Sequence, residues 1–145
     1  MKIVIGSDHA GFDLKQKIIS HFKNIDFKDV GPYDSSSCDY PDYISKVALK
    51  VQKKEVNLGI AICGSGIGAS IVANKIKGIR AALCFNEYMG EMSKKHNNAN
   101  VLVLGSRIIK PDLALKITQK WLSASFEGGR HQARIEKIMS LEKIS

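Results

Sequence analysis

No stretch of this chain is apolar over anything like the roughly 20 residues that cross a bilayer as a helix, so no membrane-spanning helix is expected. The first residues enter a strand pattern at once, without the layout of a secretory signal, and the expected compartment is the cytoplasm. Cysteine is sparse and odd in number: Cys38, Cys63 and Cys84 cannot all pair within one chain, which argues for reduced thiols. No cysteine–histidine group has the spacing of metal ligands, so no metal is expected. The G-x-S-x-G elbow of a serine hydrolase is missing, and so are internal repeats and low-complexity segments. Arginine is scarce as well, confined to Arg80, Arg107, Arg130 and Arg134. Because the guanidinium fork suits bidentate phosphate binding better than lysine does, each arginine in such a chain is informative.

What is present suits one ordinary globular domain: 145 residues, 44% hydrophobic and 25% charged. That length can bury a substantial core without metals or disulfides. The net charge of +8 raises nucleic acid or an anionic substrate as a partner. The lysines, however, are scattered over helical patterns (Lys15, Lys17, Lys50, Lys53, Lys54, Lys116, Lys120), with no compact basic block or interleaved aromatics. They read as solvated faces, and no nucleic-acid partner is expected.

Apolar periodicity alternates between strand and helix. Strands are expected at Lys2–Gly6, Phe27–Val30, Leu58–Ile62, Arg80–Phe85 and Val101–Leu104. Helical spacing marks Gly11–Lys23, a stretch opening at Pro41 with Ile44, Val47, Ala48 and Val51, and the run from the glycine turn through Lys75. It also marks Glu87–Lys95, Pro111–Leu122 and Arg130–Ile144. Continuous apolar strands separated by helices predict a doubly wound α/β fold with five parallel strands. In such sheets the site lies beyond the carboxyl ends of the strands, which collects Gly6–His9, Cys63–Gly68, Phe85–Glu87 and Gly105–Arg107 on one rim. The last helix has no strand after it, so its apolar stripe is expected to pack on a partner subunit.

The richest segment is Ile60-Ala61-Ile62-Cys63-Gly64-Ser65-Gly66-Ile67-Gly68-Ala69-Ser70. A strand, a glycine-rich turn and a helix N-terminus make an anion cradle, since unpaired N–H groups and the positive dipole end converge there. A thiol at its lip sits where a thiolate is favoured, which singles out Cys63 over Cys38 and Cys84. The same residues fit the loose dinucleotide pattern G-x-G-x-x-G/A with Glu87 downstream, but the motif follows the third strand instead of opening the chain. Ser65 adds a hydroxyl that either holds a sugar oxygen or caps the helix. Asp8 and His9 follow the first strand directly, and Asp8 also suits a helix cap. His96 and Asn97 stand at a helix end before the fifth strand, so action at the rim requires reach over it or into a neighbouring subunit's site. Arg107 follows the fifth strand, while Arg130 and Arg134 lie four apart after Gly128-Gly129, spaced to grip a phosphate.

Taken together, Gly6-Ser7-Asp8-His9-Ala10-Gly11, Asp39-Tyr40-Pro41, Cys63-Gly64-Ser65-Gly66-Ile67-Gly68, His96-Asn97, Gly105-Ser106-Arg107 and Glu127-Gly128-Gly129-Arg130-His131 closely resemble the type B ribose-5-phosphate isomerases. That family includes the galactose-6-phosphate isomerase subunits. The resemblance spans essentially the whole chain. It implies a Rossmann-like homodimer, often further assembled as a dimer of dimers, with active sites shared between subunits. It also implies interconversion of ribose 5-phosphate and ribulose 5-phosphate without metal or organic cofactor. By motif, Cys63 matches the base that moves the proton, and His96 the acid–base residue for ring opening, assisted by Ser65 and Asp8. The N–H groups from Gly64 through Ser65, Gly66 and Ile67 to Gly68 match the anion hole for the enediolate. His9, Arg107, Arg130 and Arg134 match phosphate ligands, some supplied across the dimer, and Asn97 and Tyr40 match sugar-binding positions. Ser65 stands where threonine is common in the family, and Cys63 places the chain in its thiol branch. A hexose 6-phosphate (allose or galactose) remains open as substrate, as does a non-catalytic sugar-phosphate-binding module.

Overall fold

The computed structural model describes residues 1–144. Strands β1 (Lys2–Ser7), β2 (Asp26–Asp29), β3 (Leu58–Cys63), β4 (Ala81–Leu83) and β5 (Val101–Gly105) form one parallel sheet in the order β2-β1-β3-β5-β4. The inner strands are aliphatic on both faces because both faces are covered. Ile3, Ile5, Ile60, Ile62, Leu102 and Leu104 point to one side, where they meet α1 (Phe12–His21) and α5 (Pro111–Ser123) through Leu14, Ile18, Ile117 and Trp121. Val4, Ala61, Cys63, Val101 and Val103 point to the other, against α2 (Tyr40–Gln52) and α3 (Ile67–Asn74). The helix α4 (Glu87–Lys95) lies on α5, where Gly90 lets its backbone approach Ile117. The doubly wound fold is therefore as its apolar pattern predicts. Local signals set the helix starts: Pro41 and Pro111 occupy first-turn positions, and the Asn86 side chain accepts a hydrogen bond from the Met89 N–H at 2.8 Å.

The direction in which successive strands are laid down reverses between β1 and β3, and this switch point opens a crevice at their carboxyl ends. The loops above it are stitched together. The Asp8 N–H donates to the Ile62 carbonyl at 3.1 Å, and the N–H groups of Ser106 and Arg107 donate to Cys63 and Gly64 at 2.9 Å each. The Ser106 hydroxyl reaches the Ala10 carbonyl at 2.8 Å. Three separate strand ends thus become one rigid rim.

Three expectations change. The fourth strand covers only Ala81–Leu83, because the Arg80 N–H is drawn to the Asn100 side chain at 2.8 Å and the strand lies at the sheet edge. Lys15 is not on a solvated face: it is wholly buried beside Leu14 and Ile18. Its ammonium donates to both oxygens of Asp29 at 2.7 and 2.9 Å and to the Pro32 carbonyl at 2.6 Å, between the rings of Phe12 and Tyr33. Position 15 lies on the inner face of α1, opposite the one carboxylate of β2 that can neutralise it. The stripe of α6 (Arg130–Ser140) is divided: Ile135 is buried within its own chain and Met139 meets Arg80, whereas Ile138 and Leu141 are exposed.

Candidate active site

The carboxyl ends of β1, β3 and β5 surround a cleft of about 580 Å³ lined by Asp8, Tyr40, Cys63, Gly64, Ser65, Gly68 and Arg107, with Ile67, Ile71 and Ile108 at its mouth. Cys63 is the last residue of β3, paired in register with Gly105, so the sheet itself fixes its position. The turn that follows needs glycine. Gly66 takes φ 79°, and a Cβ at Gly68 would come within 2.6 Å of the Tyr40 ring. Among the described residues, the N–H groups of Gly64, Ser65 and Gly66 make no hydrogen bond within the chain. The Ile67 N–H is already taken by the Ser65 hydroxyl at 3.1 Å, the capping use of that side chain. Free donors in the cleft therefore include Gly64, Ser65 and Gly66, directly beside the thiol, and Gly68 in the first turn of α3. Asp8 likewise serves as a local cap, accepting from the Gly11 N–H at 3.0 Å while it faces the cleft. His9 stands at the rim with Nδ1 3.2 Å from both the N–H and the carbonyl of Cys38. The Arg107 guanidinium lies over Gly64. Phe85 and Glu87 do not line this cleft.

His96, Asn97, Arg130 and Arg134 are elsewhere. A helix that follows a parallel strand runs back against it, so the C-terminus of α4 lies at the amino end of the sheet. His96 caps that C-terminus, and the carbonyl of Asn100, four residues on, accepts a hydrogen bond from the Gly59 N–H, at the end of β3 opposite Cys63. The chain after α5 stays at that end: the Glu127 N–H donates to the Lys95 carbonyl at 3.1 Å, and α6 begins three residues later with Arg130 and Arg134 exposed. The residues singled out by the sequence thus fall into two groups at opposite ends of one sheet.

A family model described as Ribose/Galactose Isomerase matches residues 3–138. The chain belongs to this family. Ribose-5-phosphate isomerase B of Escherichia coli is 47% identical over 144 residues, spanning 98% of this chain and 97% of that one. The structure of ribose-5-phosphate isomerase B from Clostridium thermocellum has 51% identity and a TM-score of 0.97, covering 99% of this chain and 98% of the other. The Mycoplasma genitalium enzyme, solved with bound ribulose 5-phosphate, has 45% identity and a TM-score of 0.94, covering 99% and 97%.

In this member of the ribose/galactose isomerase family, the scarce arginines separate by role. Arg80 is structural: its guanidinium donates to the carbonyls of Asn97 and Asn98 at 3.0 and 2.8 Å and so shapes the loop after His96. The other three stay free of such bonds among the described residues. The thiols separate too. Burial pushes Cys84 up to about 11 and raises Cys38, leaving both protonated at neutral pH. The sequence reading missed a cluster at the far end. The imidazoles of His96 and His131 stack at 4.2 Å, and the Glu127 carboxylate lies 3.7 Å from one Nε2 and 3.4 Å from the other. Burial, then the neighbouring His96 and Arg130, lowers the pKa of His131. Glu127 and His131 are four apart, but His96 is distant in sequence, so no spacing rule connects the three. No helix among the described residues is long and apolar enough to cross a membrane.

Proposed function

We propose that this protein is an aldose–ketose isomerase interconverting ribose 5-phosphate and ribulose 5-phosphate by proton transfer through an enediolate. The observation that carries this reading is Cys63 fixed beside three unpaired N–H groups, in a cleft that also holds Asp8, Tyr40 and Arg107. Moving a proton next to a carbonyl needs a base at the carbon and donors where negative charge develops. Cys63 supplies the base, and the N–H groups of Gly64, Ser65 and Gly66 receive the enediolate oxygens. Tyr40 holds the sugar, and Arg107 with His9 holds the phosphate, whose remote binding keeps the reacting carbons in place. The chemistry asks for no organic cofactor.

His96, Asn97, Arg130 and Arg134 enter from a second copy. Their position at the other end of the sheet supports a homodimer in which each cleft is completed by its neighbour, with His96 as acid–base residue for ring opening. The exposed Ile67, Ile71 and Ile108 around the cleft mouth suit such a contact. Residues 1–145 act as one cytoplasmic catalytic domain, with a sugar phosphate and no nucleic acid as partner. The test is turnover of ribose 5-phosphate with a chelator present and no added metal, repeated after thiol alkylation and run beside allose 6-phosphate and galactose 6-phosphate. Turnover with deuterium uptake from solvent next to the carbonyl is expected. A chain that binds sugar phosphate but exchanges no proton is a binding module instead.

A further inference from the structure

We propose that His96, Glu127 and His131 form a site for one divalent transition-metal ion of the zinc class, and that the bound ion removes His96 from its acid–base work. The second half rests on the role given to His96 above; the first does not. The three residues each offer one ligand atom, all within 4.8 Å of one another. Zinc bonds to imidazole nitrogen and carboxylate oxygen are about 2.0–2.2 Å long, so two ligands on a tetrahedral ion stand about 3.4 Å apart. The Glu127 oxygen lies 3.4 Å from His131 Nε2 and 3.7 Å from His96 Nε2, close to that separation. The two imidazoles are stacked 13° from parallel, so the more exposed His96 ring turns for both nitrogens to meet one ion.

A second, independent feature is His131 itself. Its ring is buried, with a side chain 6% exposed, yet Nε2 has no hydrogen-bond partner. Among the described residues it is the one buried side-chain nitrogen or oxygen left so. A buried unpaired imidazole nitrogen costs about 1–3 kcal/mol, and a metal ion relieves that cost. The backbone already brings the ligands together. The Glu127 N–H is tied to the Lys95 carbonyl next to His96, and Gly128 and Gly129, at φ 69° and 55°, turn the chain so that His131 comes back over Glu127. His96 at 34% and Glu127 at 48% exposure have room to tilt toward a shared ion, with the fourth position left to water. Two imidazoles and one carboxylate suit zinc, cobalt or nickel, whereas magnesium and calcium prefer oxygen alone. The charges of Arg130 and Arg134 nearby tell further against hard cations held mainly by electrostatics.

Cobalt(II) added to the metal-free protein is the probe, followed by visible absorption and equilibrium dialysis. One ion per chain is expected, with the intense bands of a four-coordinate nitrogen–oxygen site and no thiolate charge-transfer band. Glu127→Gln and His131→Ala should each weaken binding by about tenfold or more, and Cys63→Ser should leave it unchanged. Unchanged binding in both ligand variants, loss in Cys63→Ser, or no binding tighter than about 1 mM overturns the site. Should His131→Ala not fold, Glu127→Gln carries the test alone, since that side chain is half exposed. Zinc should inhibit ribose 5-phosphate turnover of the wild type and spare Glu127→Gln. Equal inhibition of both overturns the link to His96. Absence of any turnover by the metal-free wild type instead refutes the isomerase reading and leaves the binding result standing.

Discussion

If each cleft is completed by the neighbouring copy, two inactive variants must restore each other. Within one chain, β3 and β5 pair from Gly59 with Val101 to Cys63 with Gly105, four residue steps or about 13 Å along the sheet. His96 lies beyond the far end of that span, out of reach of a proton on a sugar held at Cys63. Cys63→Ala and His96→Ala should each lower kcat by about 10²–10⁴, the usual contribution of a positioned acid or base. Co-expressed with different tags and equal abundance, they give mixed dimers as half of the population. In a mixed dimer one cleft keeps Cys63 from one chain and His96 from the other, while the second cleft has neither. The expected activity of the purified mixed dimer is therefore about half of wild type, at least about 50-fold above either variant alone. The assay is ribose 5-phosphate turnover of dimers purified through both tags in sequence. A mixed dimer no more active than its parents refutes the reasoning, because it means that the two groups do not meet across chains.

Other perturbations follow from single contacts. Gly68→Ala places a methyl group 2.6 Å from the Tyr40 ring, which should swing the ring aside and raise KM for the sugar phosphate while leaving the melting temperature nearly unchanged. Lys15→Ala strands the Asp29 carboxylate and the Pro32 carbonyl, and should cost about 3 kcal/mol in urea unfolding, at the low end for a broken buried pair because Asp29 is 26% exposed. Cys84 has its thiol raised from 9.0 to about 11 by burial, so the unfolded chain ionises first as pH rises. Its contribution is full below pH 9 and fades between about 9 and 11, by at most roughly 3 kcal/mol. Denaturation of wild type and Cys84→Ala across that range should show the steeper decline only in wild type. Parallel curves would mean that Cys84 carries no such linkage.

Much of the architecture was legible without coordinates. Aliphatic strands such as Val101–Leu104 leave no polar face, so both sides of the sheet had to be covered, and helices had to alternate with strands. The glycine turn after Cys63 was legible as well, because three alternate glycines following an apolar run encode a tight strand-to-helix transition. Local reading failed where a partner lay far along the chain. Lys15 looks like any surface lysine until Asp29 and Pro32 close around it. Arg80 is one of four scarce arginines until the carbonyls of Asn97 and Asn98 claim it and make it structural.

By itself, then, the sequence determined the parallel α/β fold, the position of Cys63 at a strand end and the family to which the chain belongs. These depend on periodicity and contiguous motifs, which act over a few residues. The tertiary structure alone decided which of those motifs meet. It put Asp8, Tyr40, Cys63 and Arg107 in one cleft and His96, Arg130 and Arg134 at the opposite end of the sheet. It also brought Glu127 and His131 against His96. The direction in which each helix returns across the sheet sets those distances, and no spacing along the chain records it.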